Sequence, residues 1–379
     1  MTYIKKGTNI ISKGYNYIKT GNKRKFITEW SITSINSRTI TLPLSGKNES
    51  IHNFVVDWGD NTTSTVTSAS DPNKNHTYAA IGTYIVTIDG LCEGWSFLEY
   101  SISATKFKKV IDWGTNKFKY LKGAFYNCNL LELPLNQSIL GDIDDLSYIF
   151  YNCSELISIP DGLFDNNPFV TNFSHAFDSC NSISSIPDGL FDNNPLVTNF
   201  SYIFINVQLS SIPDGLFDNN PLVTNFSYAF DGCVQLLTIP DGLFDNNTLV
   251  TDFSFTFYNC VQISTIPDGL FRYNTVATNF DSCFRSCPKL QLHTTIFYAA
   301  GERDTRFFNK SVRFVNCFQR TSFAGVQGVA PDIWLCNWGT GTPIISTSTS
   351  NRPFDGPGNS LTSLSNYDSI PAIWKLRRK

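Results

Sequence analysis

The sequence is poor in the residues that usually carry chemistry. It has 379 residues but only 4 His, and His52, His76, His175 and His293 fall in four separate segments. No Gly-x-Ser-x-Gly elbow, phosphate-binding glycine loop or His-Glu-x-x-His pair occurs. A catalytic set is therefore not expected, and neither is a cofactor. No apolar run approaches the roughly 18 residues of a membrane helix, so membrane insertion is not expected. The first residues lack an uninterrupted apolar stretch followed by small residues, so no secretory signal is read there. The chain is expected to be made in a reducing cytosol, with its 10 Cys as thiols. Positive charge is missing from the middle: no Lys or Arg lies between Lys122 and Arg272, while Asp and Glu recur. Such a body repels phosphate backbones, and nucleic acid is not an expected partner. The cations collect at the ends, as Lys5, Lys6, Lys13, Lys19, Lys23, Arg24 and Lys25, and as Lys375, Arg377, Arg378 and Lys379.

Phenylalanine is abundant, with 31 copies. Aligning the chain on Phe-x-x-Cys explains why. The phrase occurs at Phe125/Cys128, Phe150/Cys153, Phe177/Cys180, Phe230/Cys233, Phe257/Cys260, Phe284/Cys287 and Phe314/Cys317, with Phe204/Val207 as a further copy. The steps are 25, 27, 27, 26, 27, 27 and 30 residues. Ser185–Tyr202 and Ser211–Tyr228 are identical, which implies recent tandem duplication. Within a unit, a Leu or Ile after the Cys and an Ile-Pro three residues later suggest a short strand closed by proline. Pro-Asp-Gly-Leu-Phe then suggests a turn, Asp-Asn-Asn-Pro a break, and Val-Thr-Asn-Phe-Ser a second extended piece. One unit cannot bury its own apolar side, but stacked units can. The expected fold is mainly β: a leucine-rich-repeat-like solenoid of about eight rungs over residues 101–322, with an N-terminal β-sandwich over 26–100 and a C-terminal cap over 323–379.

The Cys column is read as small buried side chains. One Cys per rung is not a tetrahedral metal set, and Cys283 and Cys287 lack local His partners. The recurring Asp residues stand at one place in each unit, which favours turn chemistry over a calcium ladder.

The phrase Ala-Phe-x-x-Cys-x-x-Leu-x-x-Ile-Pro at Ala229–Pro240 resembles the BspA-like leucine-rich-repeat family over roughly residues 115–322. This sequence departs from its commonest form by a longer, Asn-rich turn. The resemblance implies surface adhesion and partner binding without catalysis. Upstream, Phe54–Thr63 reads as an alternating strand followed by a Trp58-Gly59-Asp60 turn, and Gly82-Thr83-Tyr84-Ile85-Val86 as another strand. These resemble the PKD-like immunoglobulin-type domain, which implies a spacer or interaction role. Asp57 and Asp60 are read as caps of the turn rather than metal ligands.

One column is a candidate contact surface: Tyr148, His175, Tyr202, Tyr228 and Phe255, two residues before each repeat Phe. A helical turn there would point them outward, and a strand would bury them. A second column, Ser184, Ser210 and Ser264, is expected to be polar. Residues 1–25 are read as an anchoring arm, with Tyr3, Lys5, Lys6, Ile10, Tyr15, Tyr17 and Ile18 as its contacts. The main functional expectation is a tailed-phage virion component of the tail- or head-fibre type. It would dock by its arm onto other virion proteins in an oligomeric assembly and show the solenoid to a host surface protein or glycan. The alternative is a bacterial cell-surface adhesin. An enzyme carrying a carbohydrate-binding solenoid ranks last.

Overall fold

The computed structural model describes residues 25–99, 101–135, 137–298, 302–321, 328–345, 352–354 and 364–374. The arm contacts Tyr3, Lys5, Lys6, Ile10, Tyr15, Tyr17 and Ile18 lie outside the described residues. The described chain is mainly β, with α-helix confined to the four-residue turns Ser101–Ala104 and Arg303–Arg306.

Seven strands form the N-terminal part: β1 (Phe26–Ile32), β2 (Thr39–Thr41), β3 (His52–Asp57), β4 (Thr63–Val66), β5 (Asn75–Thr77), β6 (Gly82–Cys92) and β7 (Phe107–Asp112). A five-stranded sheet runs in the order β4-β3-β6-β1-β7, and β2 pairs with β5. Alternation sets the faces: Phe26, Thr28, Trp30 and Ile32 of β1 are buried, as are His52, Phe54 and Val56 of β3. Asp57 accepts the Gly59 N–H at 2.9 Å and Asp60 the Thr62 N–H at 3.1 Å, so both cap the turn after β3. The sheet does not end near residue 100. β7 pairs with β1 and places Phe107 opposite Trp30.

That last strand joins the sheet to the repeats. Phe107 packs on Phe125, the first repeat Phe, at 5.2 Å, and Phe26 packs on Trp113 and Phe118 at 6.1 and 5.6 Å. A single hydrophobic cluster runs from Phe26 to Trp374. The N-terminal part thus covers the first coil. An open end would otherwise expose three columns of aromatic rings to water.

Successive repeats lie parallel and hydrogen-bonded. Bridges link Asp145, Asn172, Asn199, Asn225, Asp252, Asn279 and Arg313 in turn. The only β pairing in each regular repeat is therefore in the Val-Thr-Asn-Phe piece. The strand expected before Ile-Pro does not form. There the coil-to-coil bonds are few, Ser210 N to Ser184 O at 3.4 Å, Leu237 N to Ser210 O at 3.3 Å and Gln291 N to Ser264 O at 2.9 Å.

Three Phe columns fill the interior. One runs from Phe125 through Phe150, Phe177, Phe204, Phe230 and Phe257 to Phe284, with rings 5.4 to 5.8 Å apart. It continues to Phe318, not Phe314. Phe314 stacks on Phe280 in a second column, so the last sequence copy, Phe314/Cys317, was aligned one column out of place. The segment Phe280-Asp-Ser-Cys-Phe284-Arg-Ser-Cys287 contains Phe-x-x-Cys in two frames, and spacing alone cannot choose between them.

Buried polar atoms lock the coils together. Asn194, Asn220, Asn247 and Asn274 each donate their amide to two carbonyls of the preceding coil; Asn220 reaches Phe191 O and Asn194 O at 3.0 Å each. The series ends at Arg306, whose guanidinium takes the next Asn place and donates to Phe271 O and Asn274 O at 3.2 and 3.0 Å. The thiols act similarly. Cys153, Cys180, Cys233, Cys260 and Cys287 donate to Phe carbonyls of the preceding coil at 3.0 to 3.2 Å. The region beyond 322 adds another coil: β8 (Val312–Arg313) pairs in parallel with β9 (Pro343–Ile344), and Phe354 stacks on Phe318 at 5.3 Å.

Two outcomes follow from this packing. Phe230→Ala should cost about 3–5 kcal/mol in denaturant unfolding, as for other deletions of a buried aromatic ring, and a loss under about 1 kcal/mol would contradict its core position. All ten Cys are buried thiols, and burial drives the pKa values upward at Cys92, Cys128, Cys153 and Cys260, among others. A thiol reagent at pH 8 should therefore leave the native protein unlabelled and label ten groups after denaturation. Labelling of the folded protein, or a count well short of ten, would contradict this.

Candidate binding surface

The aromatic column is built by an alternating backbone. In the segment Phe226–Cys233, every second N–H reaches the next coil: Phe226 N to Asp252 O at 3.0 Å, Tyr228 N to Ser254 O at 2.9 Å, Phe230 N to Thr256 O at 2.9 Å and Gly232 N to Tyr258 O at 2.8 Å. The intervening N–H groups close local turns, Ala229 to Phe226, Asp231 to Tyr228 and Cys233 to Phe230. The turn at Phe226–Ala229 has Tyr228 at its third position with φ 59°, as a type II turn requires. Tyr148, His175, Tyr202 and Phe255 share this left-handed conformation, with φ between 57° and 61°. Neither the helical turn nor the strand considered from sequence is present.

An aromatic residue in this conformation costs about 1–2 kcal/mol. Two local features offset it. The Asn or Asp before each turn caps it, as Asn225 Oδ1 accepts the Ser227 N–H at 2.8 Å and Asp252 Oδ1 the Ser254 N–H at 2.7 Å. The rings then stack, which contributes about 0.5–1.5 kcal/mol per pair. Their centroids are 4.4 Å apart for Tyr148–His175, 4.2 Å for His175–Tyr202 and 4.4 Å for both Tyr202–Tyr228 and Tyr228–Phe255, with interplanar angles of 4° to 12°. All five are half-buried.

This arrangement decides what the column offers. Each ring covers its neighbour's face, so ring edges and polar tips meet the solvent. Burial, Tyr202 and Asp231 push the Tyr228 hydroxyl up to about 12, so it remains a hydrogen-bond donor at neutral pH.

A second row, three residues further on, escaped the sequence reading. It runs Tyr126, Tyr151, Asp178, Ile205, Asp231, Tyr258 and Arg285. Tyr126 and Tyr151 stack at 4.7 Å, and Arg285 lies over the Tyr258 ring at 5.8 Å. His175 Nδ1–H donates to Asp178 at 2.8 Å, and the Ser179 hydroxyl donates to its other oxygen at 2.8 Å. Asp231 accepts no hydrogen bond at its carboxylate from a described residue. Desolvation, and then the charge of Asp178, push its carboxyl up to about 7. The row was recoverable: its members recur at a fixed offset from the aromatic column. They escaped notice because their chemistry differs at every coil.

The expected polar column is exposed at Ser184, Ser210 and Ser264, and Ile157 and Leu237 share its place in other coils. Among the described residues no cluster of His, Cys, Asp and Glu could hold a metal ion. No described helix is long and apolar enough to cross a membrane.

No family model matches the chain. No curated protein matches it. Among solved structures, the chain is similar to a leucine-rich cell surface protein from Faecalibacterium prausnitzii A2-165, at 13% identity over 84% of this chain and 98% of that one. The TM-score is 0.17, so this likeness carries no argument about the site.

Asp231 supplies a pH test. Its pKa of about 7 in the fold lies above the ordinary 3.8, so the folded protein holds a proton that the unfolded chain releases. The stability tied to that proton is fully present below about pH 4 and is lost as pH rises through about 7. Asp231→Asn should therefore match the parent near pH 4 and exceed it by about 2 kcal/mol at pH 8, after discounting for partial exposure. Denaturant midpoints at the two pH values measure this. An advantage that is equal at both would show that the carboxyl is not raised.

Proposed function

We propose that this protein is a non-catalytic binding protein displayed on a surface. Its stacked repeats would present the aromatic ladder and the row beside it to a host or neighbouring-cell protein or glycan. The observation that carries this reading is the contrast between those two columns. The Phe columns, the turn residues and much of the ladder are copied from coil to coil. The row at Tyr151, Asp178, Ile205, Asp231, Tyr258 and Arg285 changes chemistry at each step. The identical stretches Ser185–Tyr202 and Ser211–Tyr228 stop just short of it. A surface row that diverges on a repeating scaffold is the pattern of a recognition face. A ladder of ring edges and hydroxyls suits an extended, hydroxyl-rich or amide-rich chain lying along it, with aromatic area held at low entropy cost.

The resemblance to BspA-like repeats favours a cell-surface setting, and the PKD-like turn of the N-terminal sheet agrees with it. The tailed-phage fibre is the second reading. It is favoured by the basic segment before Lys25, which suits docking to an acidic assembly partner.

The test is adhesion. Purified protein, screened against bacterial cells and a glycan array, should bind a restricted set of surfaces. Tyr202→Ala with Tyr228→Ala should weaken that binding at least about tenfold, while Ser184→Ala, on the other exposed column, should leave it unchanged. Undiminished binding by a folded Tyr202/Tyr228 variant would remove the ladder from the reading.

A further inference from the structure

A second surface, on a different turn of each coil, is apolar and unpartnered. Just after the buried Asn ladder, each coil turns one large apolar side chain into solvent: Phe169, Leu196, Leu222, Leu249 and Val276. They are 40% to 53% exposed, although the Asn two residues before and the Thr two residues after each of them repeat without change. The stripe is continuous. From Thr198 onward, the Thr two residues further on donates its N–H to the carbonyl of the corresponding Thr of the preceding coil, as Thr198 to Thr171 at 2.8 Å and Thr224 to Thr198 at 2.9 Å. Exposed Pro168, Pro195 and Pro221 widen it.

Its margin is negative. Asp165, Asp192, Asp218 and Asp245 stand four residues before it in their coils, and Asp161, Asp188, Asp214, Asp241 and Asp268 form a further exposed row. Apart from His175, every ionisable acid or base between Lys122 and Arg272 other than tyrosine and cysteine is a carboxylate. Burial and the charge of Asp218 raise the Asp245 carboxyl, while Arg272 opposes them. Arg272 itself is engaged by Glu302 at 2.6 Å. An apolar stripe with uncompensated negative edges fits an extended segment carrying both apolar anchors and positive charge.

We propose that the stripe is the docking site of this chain's own residues 1–24. Three observations select that occupant. Its charge is complementary: it contains Lys5, Lys6, Lys13, Lys19, Lys23 and Arg24, and no acid. Its anchors are apolar pairs, Ile10-Ile11 and Tyr17-Ile18. Seven residues of extended chain span about 23 Å, and five coils about 4.8 Å apart offer a stripe of about 19 Å, so the two pairs match its ends. Its length suffices, because 24 residues reach up to about 80 Å from Lys25, which is held to Asp89 at 3.0 Å. Tethering favours the same molecule over a neighbour, since a linked segment has an effective concentration of order millimolar. The claim is independent of the aromatic ladder.

Carbodiimide coupling of the full-length monomer, followed by peptide mass spectrometry, tests it. At about 20 mM salt, Lys residues of 1–24 should couple to Asp165, Asp192, Asp218 or Asp245 within one molecule, and about 500 mM salt should suppress this. Trypsin should cut the full-length protein within residues 1–24 at least about tenfold faster after Leu196→Ser and Leu222→Ser, two exposed changes that leave the buried columns intact. Unchanged thermal unfolding of that variant confirms its fold. Coupling to other carboxylates, coupling only between molecules, or equal cleavage of variant and parent would each overturn the proposal.

Discussion

The stack depends on one backbone device, the alternation of coil-to-coil and local hydrogen bonds between Phe226 and Cys233 and in the equivalent segments. A parallel ladder of ordinary strands satisfies N–H groups on both sides by adding neighbours on both sides. Here each coil sends every second N–H to the next coil and closes the rest in its own turns. The chain can therefore bend tightly and still satisfy its buried donors. Two left-handed residues in each such segment are the cost. One site falls to Asn152, Asn206 or Asn259, or to Gly232, residues that adopt it more readily than most, and to Ser179 in one coil. The other falls to the aromatic ladder, which does not. That a strained position is filled by a large ring coil after coil is best understood through stacking, since each ring is held by its neighbours once the coils are in register.

Register is then enforced from inside. A Phe can slide against a Phe with little loss, but the Asn220 amide cannot leave Phe191 O and Asn194 O without stranding buried acceptors, at about 1–3 kcal/mol each. The thiol donors of Cys153, Cys180, Cys233, Cys260 and Cys287 work in the same direction with weaker bonds. The ends show how strict this requirement is. Where the Asn series stops, Arg306 carries a buried guanidinium into its place. At the other end, β7 lays Phe107 across Phe125. Both ends continue a column and then close it.

The repeat, its period and its buried Phe and Cys were legible because side-chain columns leave a strict period in sequence. Backbone conformation leaves almost none. Tyr at a left-handed position looks the same in sequence as Tyr on a strand, so the ladder could be located but not oriented. The assumed strand before Ile-Pro failed because the β bridge sits at Asn172, Asn199 and Asn225, where an Asn side chain caps the following turn. The Phe314 frame failed because Phe280 and Phe284 both open a Phe-x-x-Cys phrase. The row containing Asp178 and Asp231 was missed for the opposite reason: its residues vary, and periodicity reveals only what repeats.

Stacking one sequence on itself also dictates the charge pattern. A charged residue repeated at one buried-edge position would face its own image in every coil. At the bridge column the chain mostly uses Asn, which caps the turn as Asp does but without charge. Where Asp occurs there, something compensates: Lys122 reaches Asp145 at 3.1 Å, and Asn279 donates to Asp252 at 3.1 Å. Exposed turn positions tolerate Asp because water screens it. The row beside the ladder follows neither rule. Asp178 finds His175 and Ser179, but Asp231 finds no donor among the described residues and is separated from Asp178 by only the Ile205 coil. A half-buried carboxylate raised toward neutrality does not help the fold. Its charge in turn helps to raise the Tyr228 hydroxyl.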